Sequence, residues 1–167
     1  MRGGLSWLGL VRIGGLARIG LGAALLLGSG LVAGCGSSGP ERLRVSVEAE
    51  PGANNDTPVA VAVLVVYEDS VFRDLSKLSA SEWFEQAEQR MRDNPERTDF
   101  DLLSWEVMPG QRIKELNVEL QGRPADGLVF ADYLSEGQHR NRFNPERRIL
   151  VVLGKSDFAV LDRRTDD

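Results

Sequence analysis

The chain has one cysteine and one histidine in 167 residues. The lone cysteine, Cys35, excludes an intramolecular disulfide, and with His139 as the only histidine the usual donors of a zinc site are missing. No G-x-S-x-G, Walker loop or H-E-x-x-H motif occurs, and no internal repeat is evident. Long apolar runs are also scarce. The apolar run of residues 19–34 carries no charge and has 16 residues, short of the roughly 20 that a bilayer-spanning helix needs. Positive charge is short in the body of the chain. The first 34 residues hold three arginines and no acid, so the other 133 carry 17 cations against 25 acids, a net charge of −8. So acidic a body does not suit a phosphate backbone, and it is a poor match for an anionic membrane surface. What is present is 42% hydrophobic residues and about 130 residues of body, enough for one domain with one core.

The order of features at the amino terminus is specific. Arg2, Arg12 and Arg18 precede the apolar run, which ends in small residues, the arrangement of an export signal. Its last residues, Leu31-Val32-Ala33-Gly34-Cys35, resemble the lipobox of bacterial lipoproteins. Small side chains admit the peptidase, and only a thiol forms the thioether to diacylglycerol. The expectation is therefore a signal peptide over 1–34 and a lipidated Cys35 opening the mature chain. Each buried methylene contributes about 0.8 kcal/mol, so several acyl chains anchor stably where one is marginal. Gly36, where an aspartate would mark inner-membrane retention in enteric bacteria, points to the outer membrane. Residues 35–41 read as the lipidated cysteine with a flexible spacer, 42–163 as the domain and 164–167 as a tail.

Within the domain, residues 42–49 alternate polar and apolar as a half-buried strand does. Residues 51–58 are dense in Pro, Gly, Asn and Asp and form a loop. Residues 59–67 are apolar throughout, a strand covered on both faces, with a smooth alanine side for a helix. That helix is expected from Ser79 to Asp93. Ser79 and Glu82 form a capping box, and Trp83, Phe84, Ala87 and Met91 form one apolar stripe. Residues 100–108 and 111–120 read as a hairpin around Pro109-Gly110, 128–133 as a strand, 135–146 as a long polar loop, and 148–153 with 157–161 as a final strand pair. Seven short strands and one helix after the second strand predict a mainly β fold, a two-sheet antiparallel β-sandwich with an inserted helix.

Chemistry has little to work with. Asp132, Glu136 and His139 are the nearest approach to a reactive cluster, in which a carboxylate would orient the imidazole as a base. With no nucleophile, metal or oxyanion site beside them, they read as part of a solvated loop, and no catalytic residue, metal or cofactor is expected. Arg140, Arg142, Arg147 and Arg148 read as cations that offset neighbouring acids.

The lipobox, the strand count and the helical excursion together resemble the TssJ family, the outer-membrane lipoproteins of bacterial type VI secretion systems. Residues 53–59, an Asn/Asp-rich loop ending in Pro58-Val59, the valine-rich strand up to Tyr67, Phe72, Pro109-Gly110 and the strand 128–133 carry the resemblance, which spans residues 43 to 161. The loop 50–57 is shorter than the family's, lacking its G-R-x, and the 133–148 region is longer and more polar. The resemblance implies a transthyretin-like sandwich and a non-enzymatic, palmitoylated assembly protein held in the outer membrane and facing the periplasm. It implies as partner the periplasmic part of the inner-membrane component TssM, reached through Gly52, Ala53, Asn54, Asn55, Asp56 and Thr57. Neither nucleic acid nor a small-molecule substrate is expected. Two other readings stay open: an envelope lipoprotein of similar fold serving as a pilotin or carrier of a hydrophobic ligand, and a lipid-anchored hydrolase using His139.

Overall fold

The computed structural model describes residues 42–163. The expected signal peptide, Cys35, the spacer and the tail lie outside the described residues. Strand β1 is Arg42–Ala49 and β2 is Val59–Val66, followed by helices α1, Asp69–Leu75, and α2, Ala80–Asp93. Then come β3, Phe100–Val107; β4, Arg112–Glu119; β5, Asp126–Asp132; β6, Arg140–Phe143; β7, Arg148–Leu153; and β8, Phe158–Arg163. One sheet has the order β4-β1-β7-β8 and the other β3-β2-β5-β6.

Alternation in β1 sends Leu43, Val45, Val47 and Ala49 inward, where they meet Ile149, Val151 and Leu153 of β7. Across from them stand Val59, Val61, Val63 and Val65 of β2 with Val129 and Ala131 of β5. Each such side chain contributes about 1.5–3 kcal/mol when fully buried, so this inter-sheet layer is the main stabilising term. The other face of β2 carries Ala62, Leu64 and Val66, and there Trp83 of α2 packs with Phe100 and Phe130. The Trp83 ring stacks on Phe130 at 5.4 Å and meets Phe100 edge-on at 5.9 Å. A strand central to its sheet and covered on both faces is continuously apolar, which is why β2 reads as it does.

The capping box forms as the sequence indicates: Ser79 Oγ accepts from the Glu82 amide while Glu82 Oε2 accepts from the Ser79 amide. The stripe thins along the helix. Trp83 is buried, Phe84 and Ala87 are half-buried and Met91 is exposed.

Four expectations are corrected. Residues 100–108 and 111–120 are not a hairpin: β3 pairs with β2 and β4 with β1, so Pro109-Gly110 carries the chain from one sheet to the other. The turn itself is as read, since Gln111 N donates to Met108 O at 2.9 Å and Gly110 has φ +76°. What decides the pairing is burial: the doubly covered β2 needs neighbours on both sides and takes β3 and β5. Second, the polar 135–146 stretch contains β6, giving eight strands among the described residues. Its Phe143 ring fills the space over Gly127, where an added Cβ would stand 2.4 Å from it. Third, α1 is a further helix, held by Leu75 in the layer under α2. Fourth, β1 and β7 run parallel, so the first sheet is mixed.

Candidate partner-binding site

The 52–57 loop is short because its backbone turns left-handed. Gly52 has φ +83°, and Asn54, Asn55 and Asp56 follow at +49°, +54° and +61°. Asn and Asp tolerate this region better than other side chains, which accounts for the composition of the loop. Glu50 O accepts from Ala53 N at 3.0 Å, and Gly154 O accepts from Asn54 N at 3.2 Å. The Asn54 side chain is buried and fully used. Its Nδ2 donates to Pro58 O at 3.1 Å and its Oδ1 accepts from Leu134 N at 2.8 Å. Ala53 is also buried, so the side chains open to a partner are Asn55 and Asp56, with Gly52 and Thr57 half-buried at the edges.

Three other connections meet this loop at the same end of the sandwich. The β3–β4 turn joins it through Gly110 N donating to Glu50 O at 3.2 Å. The β5–β6 connection joins it through Leu134. The β7–β8 turn closes with Gly154 N donating to Asp157 O at 3.0 Å, and the Tyr133 hydroxyl donates to Asp157 O at 3.0 Å and Gly154 O at 3.2 Å. Burial, then the nearby Asp157 charge, pushes the Tyr133 phenol well above its ordinary range, so it remains a neutral donor.

His139 belongs to this framework. Its Nδ1 lies 3.1 Å from Asp157 Oδ1 and its Nε2 lies 2.8 Å from Ser135 O. The ring is buried, 5.0 Å from the Tyr133 ring. The partners are thus Asp157 and Ser135, not the Asp132 and Glu136 that sequence proximity suggested. The ring thus bridges two turns, the β5–β6 connection through Ser135 and the β7–β8 turn through Asp157.

The arginines are committed as well. Arg140 Nη1 donates to Leu78 O, Arg142 pairs with Asp126 and lies 5.1 Å over the Phe72 ring, Arg147 pairs with Asp162 at 3.5 Å and Arg148 with Glu115 at 3.0 Å. Arg142, Arg147 and Arg148 offset acids, as the sequence reading has it, whereas Arg140 holds a backbone carbonyl. Among the described residues no group of three or more His, Cys, Asp or Glu side chains is placed to hold a metal, and no helix is long and apolar enough to cross a membrane. A cleft of about 540 Å³ lies between Arg123, Asp126, Arg142, Glu146 and Asp162. Its charged walls are unlike the apolar cavity of a hydrophobic-ligand carrier.

Sequence reasoning missed Leu134 and Met108, both exposed at this end. The available signal was the alternation Phe130, Asp132, Leu134, which carries the outer face of β5 one step beyond the strand.

No protein-family model matches the chain, and no curated protein matches it in sequence. Solved structures do match. The T6SS lipoprotein TssJ1 from Pseudomonas aeruginosa is 15% identical, with a TM-score of 0.55 over 77% of this chain and 100% of that one. Serratia marcescens Lip, described as a membrane-bound component of the type VI secretion system, is 18% identical, with a TM-score of 0.54 over 77% and 100%. A chain in the structure described as the T6SS protein TssM C-terminal domain (869-1107) from EAEC is 13% identical, with a TM-score of 0.55 over 72% and 97%. At such identities the likeness is one of fold, and it takes in the whole of the two lipoprotein chains: this chain has the sandwich that type VI secretion lipoproteins have.

Proposed function

We propose that the chain is a lipid-anchored periplasmic assembly protein of the TssJ kind, non-enzymatic, tying a type VI secretion trans-envelope complex to the outer membrane. The observation that carries the reading is the full coverage of two type VI secretion lipoproteins by a domain that follows directly on a lipobox cysteine. Acyl chains on Cys35 hold one end. The eight residues of β1, at about 3.3 Å each, separate Arg42 from the loop end of the sandwich by about 25 Å. The 52–57 loop, at the opposite end of the sandwich from Arg42, is the part assigned to a partner rooted in the inner membrane, here the periplasmic domain of a TssM protein. The chain of this fold found in a structure described by TssM supports that pairing.

Two measurements test the reading. Labelled palmitate should enter the full chain, and Cys35→Ser should abolish both labelling and outer-membrane fractionation. The full chain in detergent should capture the periplasmic domain of the partner, and replacing the exposed Asn55 and Asp56 with Gly and Ser should abolish capture. Those two positions spare Ala53 and Asn54, which the fold itself uses. Failure of the unaltered chain to capture the domain would overturn the function. Undiminished capture by the altered chain would overturn the loop assignment.

A further inference from the structure

Leu134 is 70% exposed, more than any other large aliphatic side chain among the described residues, and Met108 follows at 53%. Register brings the two together. The ladders end at Val59 with Val107 and at Ala60 with Asp132, so Met108, one residue past β3, and Leu134, two past β5, flank the start of β2 from its two sides. Val59, Val107 and Tyr133 face the inter-sheet core, whereas Met108 and Leu134, each next in sequence to one of them, are exposed. Trp83 of α2 covers the outer face of β2 further along, over Ala62, Leu64 and Phe130, and Met108 and Leu134 at the loop end are left bare.

Leu134 is also held in place. Leu134 N donates to Asn54 Oδ1, inside the proposed partner loop, and the preceding Tyr133 is tied by its hydroxyl to the β7–β8 turn. An apolar side chain on a backbone fixed from both sides loses little freedom on binding. Asp132 and Glu136 lie two residues to either side of Leu134 in sequence and Asp56 in the loop it is bonded to, all exposed and none in an ion pair among the described residues. Lys155 is the one exposed lysine on the neighbouring turn.

We infer that Leu134 and Met108 form the apolar centre of the surface whose edge is the 52–57 loop, and that the same periplasmic partner domain binds it through an apolar pocket with a cationic rim. This rests on the proposed function. An aliphatic anchor amid unpaired acids fits a pocket bordered by Lys or Arg, with the anchor supplying affinity and the charges orientation. The partner contact is thus composite, taking the β1–β2, β3–β4 and β5–β6 connections together.

The test is calorimetric titration of the full chain in detergent with the purified periplasmic domain of the partner, at low and high salt. Leu134→Ser should weaken binding about ten-fold or more with an unchanged thermal midpoint, Met108→Ser should weaken it in the same direction, and Leu134→Met should bind as the unaltered chain does. Raised salt should weaken every binding-competent form. If Leu134→Ser binds undiminished while the Asn55 and Asp56 replacement abolishes binding, the inference is overturned and the function stands. If the unaltered chain does not bind, the function falls and the inference with it.

Discussion

The Tyr67 hydroxyl donates a 2.6 Å hydrogen bond to Oδ2 of Asp101, a carboxylate only 2% exposed. Tyr67 follows β2 and Asp101 sits near the start of β3, and the same hydroxyl accepts from Gln121 N at 3.1 Å, just past β4. Arg97 closes the network at 2.6 Å from Asp101 Oδ1. The two sheets are thus tied at the end away from the partner loop by a phenol that must keep its proton. Burial first, then the hydrogen bond to Asp101, pushes it up from 10.0 to about 12.

Because the folded state holds that proton more tightly than the unfolded chain, the contribution of Tyr67 is fully present below pH 10. It is lost as pH rises through about 12. Tyr67 and Tyr133 are the only tyrosines, and both phenols are raised, so absorbance at phenolate wavelengths reads them without interference. Ionisation should begin above pH 10 and coincide with loss of fold. A titration centred at pH 10 in folded protein would contradict the network.

Gly127 is required by its neighbour. A Cβ there would stand 2.4 Å from Phe143 Cζ, and Phe143 is itself buried on β6. Gly127→Ala should therefore cost about 1–3 kcal/mol by overpacking. Combining it with Phe143→Leu should recover part of that cost, since contacting sites couple by about 0.5–3 kcal/mol. Strictly additive losses in urea unfolding would show that the ring does not depend on the glycine.

These two contacts mark where the sequence stops being legible. The strands Arg42–Ala49 and Arg148–Leu153 were readable to the residue, because one face of each is inward and aliphatic. Ser79 and Glu82 announced α2 through chemistry that works within four residues. Strand β6, Arg-Asn-Arg-Phe, has one apolar residue to offer and gains its place from Phe143 over Gly127 and from Asn141 Nδ2 donating to Phe158 O, contacts with distant segments. Helix α1 was hidden for a similar reason, resting on Leu75 in a layer formed mostly by other elements. Pairing was the least legible property. Pro109-Gly110 specifies a turn, and only the demand of β2 for two neighbours shows that the turn crosses between sheets. In the candidate site, composition pointed to the loop but not to the split between buried Asn54 and exposed Asn55.

The capping box offers a local test on the acid side. Glu82 Oε2 accepts from the Ser79 amide at 2.7 Å and from its hydroxyl at 2.8 Å, and these bonds, the amide first, lower the carboxyl below its ordinary 4.5. A lowered carboxyl contributes stability above pH 4.5 that is lost as pH falls below it. Ser79→Ala should cost about 0.5–2 kcal/mol at neutral pH, and the difference from the unaltered chain should shrink on acidification. A difference independent of pH would separate the cap from the carboxylate.

Asn54 and Asn55 provide the sharpest contrast in the molecule. They are adjacent, chemically identical and share a left-handed backbone, at φ +49° and +54°, yet one is buried and the other exposed. Asn54→Ala should cost about 2–4 kcal/mol: about 1–3 for leaving Leu134 N and Pro58 O unpaired in a buried site, and about 1 or more for placing alanine at positive φ. Asn55→Gly loses no hydrogen bond recorded for that side chain and relieves the backbone, so its stability should stay within about 0.5 kcal/mol of the unaltered chain. Urea unfolding followed by tryptophan fluorescence measures both. Equal effects would mean that the loop is not pinned through Asn54, and the route by which it fixes Leu134 would go with it. Unequal effects in this order would separate the residue that builds the surface from the one that presents it, so a binding loss in Asn55 variants could be assigned to the contact itself.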